Sequence, residues 1–177
     1  MKVLVVVDMQ NDFIDGSLAN PLAQAIVKKV AKYVSKFEGL IVFTRDTHNQ
    51  DYLNTREGKH LPVPHCISQT EGWRVNSEIL KAAEENKKAR VAFVNKSTFS
   101  AGTSLYVGIQ TICEKPEAIE FCGTCTDICV VSNVLAMIGA FKEAQIIVHK
   151  DLCAGLSEEK HNAALEVMRS CQVEVVK

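Results

Sequence analysis

Residues 3–7 read Val-Leu-Val-Val-Val, five apolar and mostly β-branched side chains with no polar partner among them. A strand with one wet face alternates polar and apolar residues. An unbroken apolar run this short belongs to a strand covered on both faces, as in a parallel sheet between two layers of helices. The rest of the chain repeats the theme. Residues 22–37 place Leu22, Ile26, Val30 and Val34 on one helical stripe with lysines opposite. Strands are predicted at 40–44, 90–94, 118–122, 145–149 and 173–176. Helices are predicted at 76–87, 103–113 and 127–142, and a last one is capped by Ser157 with Glu158 and Glu159 in its first turn. This alternation predicts an α/β fold: a three-layer α/β/α sandwich around a mostly parallel six-stranded sheet. The 177 residues suit a single domain spanning 1–177.

Composition narrows the function by exclusion. Twenty Lys and Arg balance twenty-one Asp and Glu without clustering, so no basic stripe is offered to nucleic acid. The opening apolar run is too short for a signal peptide, and residues 128–141 are interrupted by Ser132 and Asn133. A membrane span needs roughly 20 apolar residues. A soluble, cytoplasmic protein is therefore expected, with no membrane partner. Seven cysteines, an odd count, argue against a disulfide framework. Cys66, Cys113 and Cys171 are expected to be buried apolar filler. The turn after the first strand, Asp8-Met9-Gln10-Asn11-Asp12, has no glycine-rich phosphate fingerprint.

In a parallel sheet, chemistry collects beyond the carboxyl ends of the strands. Asp8, Asp46, His48, Lys96 and the segment from Gly123 to Cys129 all fall there. Cys129 is the expected nucleophile. It sits in the first turn of a helix, where free N–H groups and the helix dipole favour a thiolate and are expected to lower its pKa. The same N–H groups suit the oxyanion of a tetrahedral intermediate. Asp8, ending a strand among apolar neighbours, is a carboxylate whose pKa burial should raise, and thus a candidate base. Lys96 is placed to pair with it. The 45–74 loop, with three histidines and two prolines, is long enough to suggest function.

Three segments carry a family resemblance. They are Val5-Val6-Val7-Asp8-Met9-Gln10-Asn11-Asp12-Phe13, Lys96-Ser97-Thr98-Phe99-Ser100-Ala101 and Gly123-Thr124-Cys125-Thr126-Asp127-Ile128-Cys129-Val130. Together, in this order, the chain resembles the isochorismatase-like cysteine hydrolases, which include nicotinamidases and N-carbamoylsarcosine amidases. The resemblance implies a catalytic set of Asp8, Lys96 and Cys129. It also implies a cis peptide at Thr124–Cys125 that aims the Cys125 and Cys129 N–H groups at the oxyanion. Thr44-Arg45-Asp46-Thr47-His48 and Leu61-Pro62-Val63-Pro64-His65-Cys66 resemble the metal-binding segments of the nicotinamidase branch. They imply Asp46, His48 and His65 as ligands of a divalent ion, zinc foremost. Two departures stand out. Asn54 falls where nicotinamidases often carry a further loop histidine, which points to a thinner metal shell. Pro62 falls where they often carry a tryptophan, so an aromatic substrate wall is expected from Phe13, Tyr52 or Trp73.

The implied activity is cleavage of a small-molecule amide, nicotinamide to nicotinate and ammonia, through a thioester. An N-carbamoyl amidase is the neighbouring alternative. The family also forms dimers and larger assemblies, which makes a homo-oligomer one expected state. From a different class, Cys122, Cys125 and Cys129 in C-x2-C-x3-C spacing suggest a metal or redox binding module. A non-catalytic family scaffold is the third reading, although it predicts a damaged triad.

Overall fold

The computed structural model describes all 177 residues. Strand β1 (Lys2–Val7) is the buried run read from the sequence, and Val3 to Val7 are wholly inaccessible. A short helix α1 (Asn11–Ile14) leads to α2 (Pro21–Val34). Helix α2 starts where Pro21 fixes the first turn and the Asn20 carboxamide accepts the Leu22 N–H at 3.0 Å. Strand β2 (Gly39–Asp46) follows, and then a long connection containing a 3-10 turn and the short helix α3 (Arg56–His60). Next come α4 (Ser77–Glu85), β3 (Ala89–Lys96), α5 (Gly102–Ile112) and β4 (Ala118–Thr124). A π-helical turn over Thr126–Val130 feeds α6 (Val131–Ala140). Strand β5 (Gln145–Ala154), α7 (Glu158–Ser170) and β6 (Glu174–Val176) close the chain.

The six strands are all parallel, in the order β3-β2-β1-β4-β5-β6. Alternate side chains supply two cores. Val3, Val5, Val7, Leu40 and Phe121 pack under α5, α6 and α7, while Leu4, Val6, Ile41 and Phe43 pack under α2 and α4. Burying each such side chain is worth about 1.5–3 kcal/mol, which fixes the strand register.

The chain builds outward from β1 through β2 and β3, then returns to β4 on the other side of β1. The reversal opens a crevice beyond the ends of β1 and β4, where ligands of open α/β sheets bind. Gly123 lets the two strands meet there. Its φ is +119°, and a Cβ would lie 2.1 Å from the Val7 carbonyl oxygen.

Several boundaries differ from the sequence reading. Strands β2 and β5 run on to Asp46 and Ala154, because pairing with β3 continues to Asp46 and pairing with β4 resumes at Cys153 and Ala154 after a bulge. The helix expected over 127–142 opens as a π-turn, with the Cys125 carbonyl accepting the N–H groups of Ile128 and Val130, both at 3.0 Å. Cys171 is exposed rather than buried, since it follows the last turn of α7. No helix is long and apolar enough to cross a membrane.

Candidate active site

Asp8, Lys96 and Cys129 come from the ends of three different elements and meet in the crevice. The Lys96 ammonium lies 2.7 Å from Asp8 Oδ2 and 3.6 Å from Cys129 Sγ. All three are buried. Asp8 holds a left-handed backbone, φ +48°, rare for a residue with a side chain and common at functional sites. Thr44 fixes its orientation: the Thr44 hydroxyl donates to Asp8 Oδ1 at 2.7 Å and accepts the Asp8 N–H at 3.2 Å.

Burial raises the Asp8 carboxyl above its ordinary value, against the opposing pull of Lys96. Lys96 itself is pushed upward: burial disfavours its charge, but Asp8, Cys129 and Asp46 more than offset that. Cys129 corrects the sequence reading. Burial, reinforced by the Asp8 carboxylate, holds its thiol well above the ordinary range, despite Lys96 and the helix start. The resting residue is a thiol beside a basic carboxylate, an arrangement for proton transfer rather than for a standing thiolate.

The Thr124–Cys125 peptide is cis, and the Cys125 N–H donates to no other group of the chain. Thr124 anchors the turn through its hydroxyl, which donates to the Ala154 carbonyl at 3.1 Å. Asn133, one turn after the nucleophile, is fully buried and makes three hydrogen bonds. Its amide donates to the carbonyls of Cys129 at 2.8 Å and Phe99 at 3.2 Å, and its oxygen accepts the Ala101 N–H at 2.8 Å.

A second cluster adjoins the first. Donor atoms of Asp46, His48, Glu57 and His65 all lie within 4.8 Å of one another. Asp46 Oδ2 is 3.1 Å from His48 Nε2 and 3.5 Å from His65 Nε2. The His65 Nδ1 lies 2.8 Å from the Val63 carbonyl, an arrangement that commits the other ring nitrogen to the cluster. Burial alone would raise the Asp46 carboxyl, but hydrogen bonds to His48 and His65, with Lys96 nearby, hold it well below the carboxylate range. Two imidazoles and two carboxylates, with Lys96 reaching only Asp46 Oδ1 at 3.4 Å, fit a divalent metal. Glu57 was not singled out from the sequence, and it replaces the expected thinner shell with four donors. The signal was its place in the histidine-bearing loop, three residues beyond Asn54.

Both clusters open into one cavity of about 590 Å³, lined by Asp46, Glu57, His65, Cys125 and Cys129 among others. Phe13 lines it too, with its ring 5.6 Å from that of His65. The other expected aromatic walls lie elsewhere. Tyr52 is buried behind the ligands, its ring 4.7 Å from His48 and 5.0 Å from His65, and its hydroxyl donates to the Leu61 carbonyl. Trp73 donates to the Thr47 hydroxyl and carries the Arg45 guanidinium 4.1 Å over its ring, outside the lining. The second aromatic of the cavity is Phe99, a residue of the Lys96 segment that sequence reasoning passed over.

The three cysteines do not converge. Cys122 packs in the core under α2 and α4, whereas Cys129 faces the opposite core and the cavity. The one group of three or more candidate metal donors contains no cysteine.

Comparison with known proteins agrees with this geometry. The model of the isochorismatase domain matches residues 2–177. A nicotinamidase/pyrazinamidase of Mycobacterium tuberculosis is 27% identical over 194 residues, covering 99% of this chain and 98% of the relative. The crystal structure of pyrazinamidase of Pyrococcus horikoshii in complex with zinc superposes with a TM-score of 0.82 at 28% identity, over 99% of this chain and 98% of that one. A pyrazinamidase/nicotinamidase from Streptococcus mutans gives 0.80 at 28%, over 99% and 100%. The chain belongs to the isochorismatase domain family, as a nicotinamidase-like member.

Proposed function

We propose that this protein hydrolyses small aromatic carboxamides, nicotinamide first among them, through a thioester on Cys129. One observation carries the reading. Cys129, Cys125 and three of the four candidate metal donors, Asp46, Glu57 and His65, line a single cavity with two phenyl rings, Phe13 and Phe99, suited to a flat ring, and Asp8 and Lys96 lie buried beside the thiol.

Asp8 Oδ2 accepts the Cys129 proton as the sulfur attacks the amide carbon. It is a buried carboxylate oxygen held beside the Lys96 ammonium at 2.7 Å. The Cys125 N–H, joined by that of Cys129, stabilises the oxyanion. Asp8 then returns the proton to the departing nitrogen, which leaves as ammonia. A water molecule, deprotonated by Asp8, cleaves the thioester to the carboxylate and restores the thiol. Lys96 keeps Asp8 charged in its buried setting and tethers it beside the sulfur.

Asp46, His48, Glu57 and His65 would hold a divalent cation, with zinc the first candidate because the Pyrococcus relative was solved in complex with it. When bound, that ion would supply Lewis-acid charge beside the cavity. All seven cysteines are free, which suits a reducing compartment such as the cytoplasm.

The test is ammonia release from a panel of amides and N-carbamoyl compounds, by the wild type and by Cys129→Ala. Nicotinamide should be turned over, the variant should be inert, and mass spectrometry of the quenched wild type should find an acyl adduct on Cys129. Turnover by Cys129→Ala would refute the nucleophile. Cleavage of carbamoyl compounds alone would move the substrate class.

A further inference from the structure

A hollow of about 760 Å³ lies away from the active site, toward the amino ends of β1 and β4. It contains neither the nucleophile nor the metal donors. Its rim carries Lys2, Lys29, Lys32 and Lys36, and its floor includes Tyr33 and Glu120. Lys29 and Lys32, three residues apart, share one face of α2, and Lys36, in the turn just past its end, joins them at the same hollow, where like charges repel. None of the three has a carboxylate within ion-pair distance. The carboxylates nearby are already engaged, Glu38 by Lys88 at 2.5 Å and Glu120 by His149 at 2.7 Å.

Glu120 is the second, independent observation. It stands opposite Leu4 in the sheet, so its carboxylate points into the apolar layer under α2, and only 4% of the residue is exposed. A buried carboxylate in that position is costly unless it is satisfied. Oε2 is fully used, accepting the Tyr33 hydroxyl at 2.5 Å and contacting His149 Nε2 at 2.7 Å. Oε1 has only Lys2, at 3.9 Å. The floor of the hollow thus presents an acceptor held rigidly by two neighbours, and the rim presents three cations without counterions.

We propose that this cleft is a second binding site, for a small organic phosphate bearing hydroxyl donors, such as a sugar phosphate or a nucleotide. The phosphate takes the place of the missing counterions on Lys29, Lys32 and Lys36, and a ligand hydroxyl donates to Glu120 Oε1. A bare inorganic anion satisfies the rim and leaves the floor unused, so the sugar-bearing ligand binds more tightly. The site lies at the other end of the sheet from Cys129, and occupancy there is independent of the amidase reading.

Amide shifts in NMR titrations of the intact protein test this, with ribose 5-phosphate, AMP, adenosine and inorganic triphosphate as probes. Ribose 5-phosphate and AMP should give saturable shifts around Lys32, Tyr33 and His149, and adenosine should give none. A ribose 5-phosphate response without AMP would assign the sugar phosphate, and the reverse the nucleotide. The triple variant K29A/K32A/K36A should weaken binding roughly tenfold or more, through loss of three weak ion pairs. Glu120→Gln should weaken ribose 5-phosphate but not inorganic triphosphate. The proposal is overturned if no probe saturates, if the shifts centre on the Cys129 cavity, or if the triple variant binds as the wild type does. Binding of inorganic triphosphate alone would also overturn it.

Discussion

Lys96 and Asp46 are register partners across β3 and β2, and they are joined again through their side chains, with Lys96 Nζ 3.4 Å from Asp46 Oδ1. The same ammonium holds Asp8 at 2.7 Å and contacts the Cys129 sulfur. One cation therefore links the proposed base, the proposed nucleophile and a candidate metal donor. Neither cluster can shift its charge without the other responding.

That link gives opposite signs for two substitutions. The Asp8 carboxylate raises the Cys129 thiol, and the Lys96 ammonium lowers it, beneath the dominant effect of burial. In the wild type, iodoacetamide alkylation of Cys129 should have its inflection above that of a free small thiol, about 8.5. Asp8→Asn should move the inflection down, and Lys96→Met should move it up, while both lose turnover. Alkylation rates against pH, read by peptide mass spectrometry, check this. An Asp8→Asn inflection above that of the wild type would contradict the charge assignment.

Glu57 closes the donor set, its Oε1 3.9 Å from both His48 Nε2 and His65 Nε2. Glu57→Gln keeps the size of the side chain and removes its charge. Divalent-ion affinity should fall by about a hundredfold or more, given that even outer partners of ligands are worth 10–100-fold. Elemental analysis after dialysis against a chelator series would show it. Full metal retention in Glu57→Gln would restrict the ligands to Asp46, His48 and His65.

How much of this was legible in the sequence depends on what each residue does. Buried strands announce themselves, since Val3 to Val7 cannot sit elsewhere than between two helical layers. Residues at strand ends were equally readable, because the parallel fold dictates where Asp8, Lys96 and Cys129 must gather. The loop between β2 and α4 was not. Its fold is set by individual contacts, such as the Asp12 carboxylate accepting the Cys66 N–H at 2.7 Å across the crevice. No periodicity encodes such a contact. Tyr52 and Trp73 were therefore chosen from the sequence and Phe99 passed over, and tertiary packing alone distinguished the histidine buttress and the Arg45 partner from the cavity wall. The direction of the Cys129 shift was missed for a related reason. The helix start is local and visible, while the depth of burial is not.

Gly123 offers a test of the crevice itself. Any Cβ there meets the Val7 carbonyl at 2.1 Å, on a backbone with φ +119°. Gly123→Ala should cost about 2–4 kcal/mol, the range of combined backbone strain and overpacking. Denaturant unfolding would measure it. A loss under about 0.5 kcal/mol, the size of an ordinary surface change, would mean that β1 and β4 can separate without penalty.

Asn133 joins the nucleophile turn to the segment bearing Phe99, and its three hydrogen bonds can be separated by one substitution. A threonine hydroxyl at the same position can still donate to the carbonyl four residues back, that of Cys129, as threonines in helices do. It is too short to serve the Phe99 carbonyl and the Ala101 N–H as well. Each buried group left unpaired costs about 1–3 kcal/mol, so some loss of stability is expected. The informative readout is kinetic. If Asn133 positions the Phe99 wall, Asn133→Thr should leave the rate of Cys129 alkylation near that of the wild type. KM for an aromatic amide should rise by roughly tenfold, the equivalent of about 1.4 kcal/mol of ring contact. Phe99→Ala should raise KM in the same way, and the double variant should add little, because both changes remove one wall. A fall in kcat with KM unchanged would instead place the effect of Asn133 on the Cys129 turn, through the carbonyl it holds at 2.8 Å.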